Sequence, residues 1–166
     1  RIFDPADHSH IFSWLICESY DDKGNAIRYH YVPEDDQRID LALASERNRS
    51  TKTRKSNRYL KRIQYANKTP RKADEDLSKR KDWLLETVFD YDEIHYENVP
   101  LNQAVPATDQ HEFVLASIAP GRTWSVRPDP FSIYRAGFEV RTYRRCRRVL
   151  MFHKFQELGK EPYLVK

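Results

Sequence analysis

The feature that most constrains this chain is a period-two alternation of large apolar and other residues, repeated in separate stretches. Phe12, Trp14, Ile16 and Tyr20 share one parity, with Leu15 and Cys17 on the other. Ile27, Tyr29 and Tyr31 repeat the pattern, and Tyr59, Ile63 and Tyr65 alternate with Leu60, Arg62 and Gln64. Trp83, Leu85, Thr87, Phe89 and Tyr91 form the longest run. Phe138, Val140 and Thr142, then Val149, Met151, His153 and Phe155, close the series. Successive side chains of a strand point to opposite faces, so this period belongs to β-strands and not to helices. Ten of the 166 residues are Tyr, and only four are Gly. Tyr suits pleated, half-buried surfaces, and so few glycines argue against a glycine-rich repeat or a phosphate-cradling loop.

Along the chain, Asp21-Asp22-Lys23-Gly24-Asn25 separates two alternating runs and reads as a hairpin turn, because Gly24 and Asn25 tolerate positive φ. Pro33 to Asp40 is acidic and turn-like. Leu41 to Arg49 is compatible with one or two helical turns, weakened by Ser45 and Asn48, and Ser50 to Asn57 reads as a basic loop. Excursions are expected over 42–57, 67–82 and 93–130. The last contains five prolines and, at Phe113-Val114-Leu115, a candidate short strand. Phe131 to Gly137 reads as a connector. Phe138 to Phe155 reads as two strands, or one strand bent near Arg145, with helix as the rival because Arg144 to Arg148 has no β preference. The expected fold class is mainly β: an antiparallel sheet of long strands and hairpins with long irregular loops and little helix. Trp14, Ile16, Tyr29, Ile63, Leu85, Phe89, Val140 and Met151 are expected to be buried. The chain opens in Arg1-Ile2-Phe3-Asp4-Pro5 without Met and ends in Tyr163-Leu164-Val165-Lys166, so both ends read as cuts through a longer polypeptide.

The formal charge is +4, from 29 basic and 25 acidic residues. The local excess between Arg47 and Arg62 reads first as a solvated face, and only secondarily as a nucleic-acid surface. Arg141, Arg144, Arg145, Arg147 and Arg148 crowd eight positions between apolar strands. Such arginines must reach solvent, pair with carboxylates or meet an anionic partner, and Arg favours bidentate carboxylate pairing. Asp90, Asp92, Glu93, His95 and Glu97 admit a metal site or, more blandly, the polar end of a strand entering solvent; they lack the spaced Gly of a calcium loop. His111-Glu112 fails as a zinc-protease motif, because position 115 is Leu. His8 and His10 read as exposed, and His153 as a hydrogen-bonded core residue. Cys17 and Cys146 stand 129 positions apart, show no metal spacing, and read as buried thiols. No nucleophile elbow, P-loop, dinucleotide fingerprint or ADP-ribosyltransferase glutamate motif is present. No catalytic residue, cofactor or metal is expected, and no signal peptide or apolar spanning run is visible.

Several strings resemble a known family. They are Arg1-Ile2-Phe3-Asp4-Pro5-Ala6-Asp7 leading into Ile11-Phe12-Ser13-Trp14-Leu15, and Tyr20-Asp21-Asp22-Lys23-Gly24-Asn25-Ala26-Ile27. Glu46-Arg47-Asn48-Arg49, Asn57 to Ile63, Val88 to Tyr91, Arg127 to Phe131, Tyr134 to Thr142 and Cys146 to His153 follow in family order. Together they resemble the Salmonella plasmid virulence protein B type N-terminal domain, as in the B component of bacterial insecticidal toxin complexes, over the later half of that domain. The resemblance implies that 1–166 is one fragment of such a domain. It implies a scaffold role in a secreted protein assembled in the bacterial cytoplasm: strands of a hollow β shell that encloses a toxic polypeptide. Implied partners are the remainder of its own chain, a C component and a pore-forming A component, with no nucleic acid and no direct membrane insertion. The ADP-ribosyltransferase domain at the far C-terminus of the Salmonella protein finds no match here, and 98–123 matches no family block. The alternatives are a binding module for an anionic partner through the basic loops and strands, and a metal-dependent enzyme at Asp90, Asp92 and His95.

Overall fold

The computed structural model describes residues 1–99 and 113–165. Its strands are β1 (Ile2–Phe3), β2 (Ile11–Ser13), β3 (Glu18–Tyr20), β4 (Ala26–Pro33), β5 (Arg58–Asn67), β6 (Trp83–Asp90), β7 (Tyr96–Val99), β8 (Phe113–Ala116), β9 (Phe131–Ile133), β10 (Val140–Thr142), β11 (Arg148–His153) and β12 (Tyr163–Leu164). Six of them make one sheet in the order β12-β11-β6-β5-β4-β3, with every pair antiparallel. Two-stranded ladders β1-β2, β7-β8 and β9-β10 surround it. The expected antiparallel, mainly β architecture is present.

The β3-β4 turn has the chemistry its residues dictate. The Asp21 carboxylate accepts the N–H groups of Lys23 and Asn25 at 3.0 and 2.8 Å, and Gly24 takes φ +82°. A Cβ at Gly24 would lie 2.8 Å from Pro70 Cβ and 2.9 Å from Arg71 N, so the 67–82 excursion packs directly on this turn. The Arg71 N–H donates to Gly24 O at 2.8 Å, and Asn67 caps the same carbonyl from its side chain at 2.9 Å. That excursion also sends Leu77 into a core with Ala26 and Trp83, where Leu77 is fully buried.

Several local expectations need correction. Phe12 to Tyr20 is two short strands, β2 and β3, in different ladders. Only a 3-10 turn, Ala44–Glu46, forms within 41–49. The helix lies instead at α1 (Thr51–Arg54), inside the expected loop, because Ser50 and Thr53 close a reciprocal capping box. The expected connector at 131–137 contains β9, which pairs with β10. For 138–155 the two-strand expectation holds, and the two strands, β10 and β11, belong to different sheets. Within 93–130, β7 and β8 pair as a ladder, whereas His111 and Glu112 lie outside the described residues.

Cross-strand partners share a face, so the register separates two surfaces of the central sheet. On one, Tyr29, Ile63, Thr87 and Met151 form a row, Tyr65, Leu85, His153 and Tyr163 a second, and Phe89 with Val149 a third. On the other, the rows are Arg28, Gln64, Glu86, Phe152 and Leu164; His30, Arg62, Val88 and Leu150; and Asp90 with Arg148. The second surface, which carries the charges, is the covered one. Val88, Leu150 and Phe152 are buried there against Tyr96, Ala116, Ile118 and Leu164, so the β7-β8 ladder lies over it.

This reverses much of the expected burial. Val140 is buried beside Ile2 and Phe138, as expected. Trp14 is 76% exposed, Ile16 52% and Met151 37%, while Tyr29, Ile63, Leu85 and Phe89 are half-buried. The apolar parity is the one the alternation predicts, but its cover among the described residues reaches only its ends: Trp83 is buried with Leu77, and Phe89 packs against Tyr59, Tyr91 and Trp124. Cys17 and Cys146 are free and exposed, not buried. His8 and His10 are exposed, and His153 is half-buried with its ring edge-on to Phe155 at 5.5 Å. Truncating the fully buried Phe152 to Ala is expected to cost about 3–5 kcal/mol in a denaturant titration, against less than about 0.5 kcal/mol for Trp14→Ala.

Candidate functional site

The arginine cluster and the acids that face it make the densest polar constellation in the molecule. Arg144 sits between β10 and β11 and is fully buried. Its Nε donates to Glu34 Oε2 at 2.9 Å, and its Nη2 binds Glu34 Oε1, Asp35 Oδ1 at 3.1 Å and Gln37 O at 3.0 Å. The guanidinium lies 4.7 Å from the Trp124 ring centroid, and Trp124 Nε1 donates to Asp35 at 2.9 Å. Trp124 packs edge-on against Tyr59 and Tyr91, so the ion pair is roofed by aromatic rings.

A second group continues from it. Arg141 Nη2 pairs with the buried Glu46 at 3.1 Å, and the Tyr143 hydroxyl donates to the other Glu46 oxygen at 2.6 Å. Arg49 grips Glu139 with Nε at 2.9 Å and Nη2 at 2.7 Å, while the Ser132 and Tyr134 hydroxyls donate to the same carboxylate. Burial alone would raise the Glu139 pKa; the hydrogen bonds from Arg49, Ser132 and Tyr134 outweigh it, so the pKa lies below the ordinary glutamate value. Asn57 reaches Arg141 O at 3.1 Å, Ser56 reaches Glu139 O at 3.0 Å, and the Tyr143 N–H donates to the Tyr59 hydroxyl at 3.0 Å. The 34–57 excursion is therefore bolted to β10 and to the end of β5. Burial pushes the Tyr59 and Tyr143 phenols far above their ordinary value, which keeps both neutral.

At Asp90, Glu93 and His95 the acidic run does not enter solvent as the blander expectation held. Asp90, Glu93 and His95 are buried, and their ligand atoms lie within 4.8 Å of one another. Asp92 stands outside this group, at φ +70°, and pairs with Arg122 at 3.1 Å. Lys61 fills the centre: its ammonium contacts Glu93 and donates to His95 Nε2 at 2.8 Å and Phe89 O at 3.1 Å. His95 Nδ1 faces Ser117 O at 2.8 Å and must carry the proton there, because a carbonyl only accepts, which leaves Nε2 to accept from Lys61. Burial would raise the Glu93 pKa, but the Lys61 ammonium on its carboxylate, with the Tyr91 N–H, brings it below the ordinary value. Arg148 Nη1 stands 3.3 Å from Asp90 Oδ2. The fixed charge a metal would supply is thus already provided by Lys61 and Arg148, and the donor set fits a closed ionic anchor better than an ion site. It ties the 91–95 turn to the sheet, and Gly121 and Ser117 N–H groups complete the tie at 2.8 and 2.9 Å to the carbonyls of Glu93 and His95.

Of the arginines singled out from the sequence, Arg141, Arg144 and Arg148 are thus engaged with carboxylates, whereas Arg145 and Arg147 are exposed and make no ion pair among the described residues. Glu34, Glu46 and Glu86 were not singled out, yet all three are buried partners of cations. Five crowded arginines demanded carboxylates somewhere, but nothing local identified which of 25 acids would answer.

Residues 1–155 match the family model described as Salmonella virulence plasmid 65kDa B protein, SpvB. The chain belongs to the SpvB family. It is 38% identical to proteins named mono(ADP-ribosyl)transferase SpvB from Salmonella typhimurium and Salmonella choleraesuis, over 99% of this chain and 26% of theirs. It thus spans about a quarter of the length of these curated relatives. Among solved structures it matches the N-terminal domain of effector protein SpvB from S. typhimurium strain LT2, with TM-score 0.75 and 38% identity, over 99% of this chain and 47% of that one. It also matches a chain of the Photorhabdus luminescens Tc holotoxin pore, with TM-score 0.73 and 32% identity, over 99% of this chain and 7% of that one. The family carries the virulence and toxin-complex context. The SpvB match lies in the N-terminal domain of a protein named as a transferase.

Breaking one side of the Arg144–Glu34 pair leaves a buried charge, so Arg144→Met and Glu34→Gln should each cost about 3–5 kcal/mol in urea, and the double variant clearly less than their sum. Glu139 supplies an acid-sensitive contribution of defined sign. Its folded pKa is depressed, so this stability is complete above the unfolded value of about 4.3 and is lost as pH falls through the lower folded value. Glu139→Gln should flatten the acid limb of a stability–pH curve measured below that value.

Proposed function

We propose that this segment is a wall element in the shell of a secreted toxin-complex B-type virulence protein, and that it catalyses nothing itself. The likeness to a Tc holotoxin chain at 32% identity supports the toxin-complex setting. The observation that carries the structural reading is the use of the polar groups. The buried acids Glu34, Glu46, Glu86, Asp90 and Glu93 are each paired with a cation of the same chain. A catalytic site needs polar groups converging on a space that a substrate can enter; here they converge on one another. Ion pairs that span 90 to 110 positions hold the walls of this segment in one arrangement. Such a segment would act with the remainder of its own polypeptide, a C component and a pore-forming A component, in enclosing and delivering a toxic chain outside the producing cell.

The test uses the complete polypeptide expressed with its C component. A closed hollow particle in electron micrographs, whose enclosed chain resists protease until the shell is denatured, is the expected result. Separate domains on a string, with the cargo chain cut at once, would end the shell reading. The exposed pair Arg145 and Arg147 favours one rival, a contact for an anionic partner. Heparin retention that falls steeply with salt and is lost in the Arg145→Ala, Arg147→Ala double variant would support that rival; weak retention without such a slope is expected for the wall element.

A further inference from the structure

We infer that the apolar face of the six-stranded sheet is an interior surface, closed by the part of the same polypeptide that completes an SpvB-type N-terminal domain. The two faces are chemically opposite. The covered face carries Arg28, Arg62, Glu86, Asp90 and Arg148; the three open rows contain no acid, Lys or Arg, and the charge the register adds on their side is Arg58, opposite Pro33 at the end of β5. Their polar members are Thr87, His153 and the Tyr hydroxyls. No residue of those rows is buried, and exposure rises toward the β12 edge, where Val149 and Tyr163 are each 55% exposed. A soluble domain that hides its charges and shows its hydrocarbon to water has the wrong face outside, unless something covers it.

The size of the face is consistent with a packing seam. Five strands from β4 to β12, about 4.8 Å apart, span about 19 Å, and three side-chain rows about 7 Å apart span about 14 Å, which gives an area on the order of 300 Å². The ladder edge beside it is also open. The β12 strand pairs only with Phe152 and His153, and Val165 N–H reaches Met151 O at 2.9 Å, so Arg148 to Leu150 have no strand beyond them among the described residues. An open edge next to an apolar face is a site for further strands of a sheet.

The occupant follows from coverage and charge. The solved SpvB N-terminal domain takes in 99% of this chain but is covered over only 47% of its own length. More than half of that domain therefore has no counterpart in these residues, which is ample chain to lie over one sheet face. The three central rows offer no charge to an anionic partner, so apolar side chains of strands or loops from that remainder are the fitting occupant. This holds whether or not the assembled protein encloses a cargo.

Cysteine reporters in the complete polypeptide test it, on a background with Cys17→Ser and Cys146→Ser. Met151→Cys stands on the face at a residue 37% exposed in this segment, Val149→Cys at 55% is a second reporter should the first not fold, and Lys160→Cys is an exposed control. Maleimide labelling of the face reporters should be at least about tenfold slower than that of the control, equivalent to about 1.4 kcal/mol of protection. Labelling at the control rate would overturn the inference. Protection that vanishes on dilution would replace it with a second copy of the protein, and protection that appears only on adding the C component would assign the face to that partner.

Discussion

Every ionised group taken out of water on the covered face of the sheet must be met by an opposite charge or a full set of hydrogen bonds, and the rest of this structure is arranged around that requirement. Glu86 illustrates it. It is fully buried and is met by Lys154 from beyond β11, by Arg62 at 3.2 Å from β5, and by the Gln64 amide at 3.0 Å. Asp90, four residues on, is met by Arg148 and by the Glu93 N–H at 2.8 Å. The covering elements are therefore not interchangeable pieces of hydrocarbon. The 91–95 turn and its Lys61 anchor lie where charges on β5 and β6 need partners, and the β7-β8 ladder continues from them.

Such pairs add less to stability than their number implies, because desolvation consumes most of the Coulomb attraction. Their contribution is to geometry. A Leu repacks against many neighbours, but the Arg144 fork accepts few arrangements of Glu34, Asp35 and Gln37 O. The excursion 34–57 has no strand in the central sheet after Pro33, and its position is set by Arg144, Arg141, Asn57 and Ser56. A segment that must hold a fixed place in a larger assembly gains more from that specificity than from an extra kilocalorie of apolar burial.

The same division of labour leaves the apolar face free. Charges placed inward by pairing and hydrocarbon left outward make an unstable surface in isolation and a useful one in an assembly. Membership of the SpvB family and the likeness to part of a Tc holotoxin chain give that surface a setting in which more polypeptide is at hand.

The strands themselves were legible from residue order. Alternation in Trp83 to Tyr91 and in Tyr59 to Tyr65 marks β6 and β5, and Asp21 to Asn25 marks their neighbouring turn, because period-two patterning and turn chemistry are local properties. The family was legible too, from strings that run in order along the chain. Which face is covered was not. Alternation says that two faces differ, and the usual rule puts the apolar one inside, but here the answer depends on where β7, β8 and the 91–95 turn come to rest. The partners of the arginines were equally hidden, since Glu34 meets Arg144 across 110 positions and Glu46 meets Tyr143 across 97. Local sequence determines strands and turns through contacts a few residues long; burial and charge pairing belong to the tertiary structure, because both are set by groups that only folding brings together.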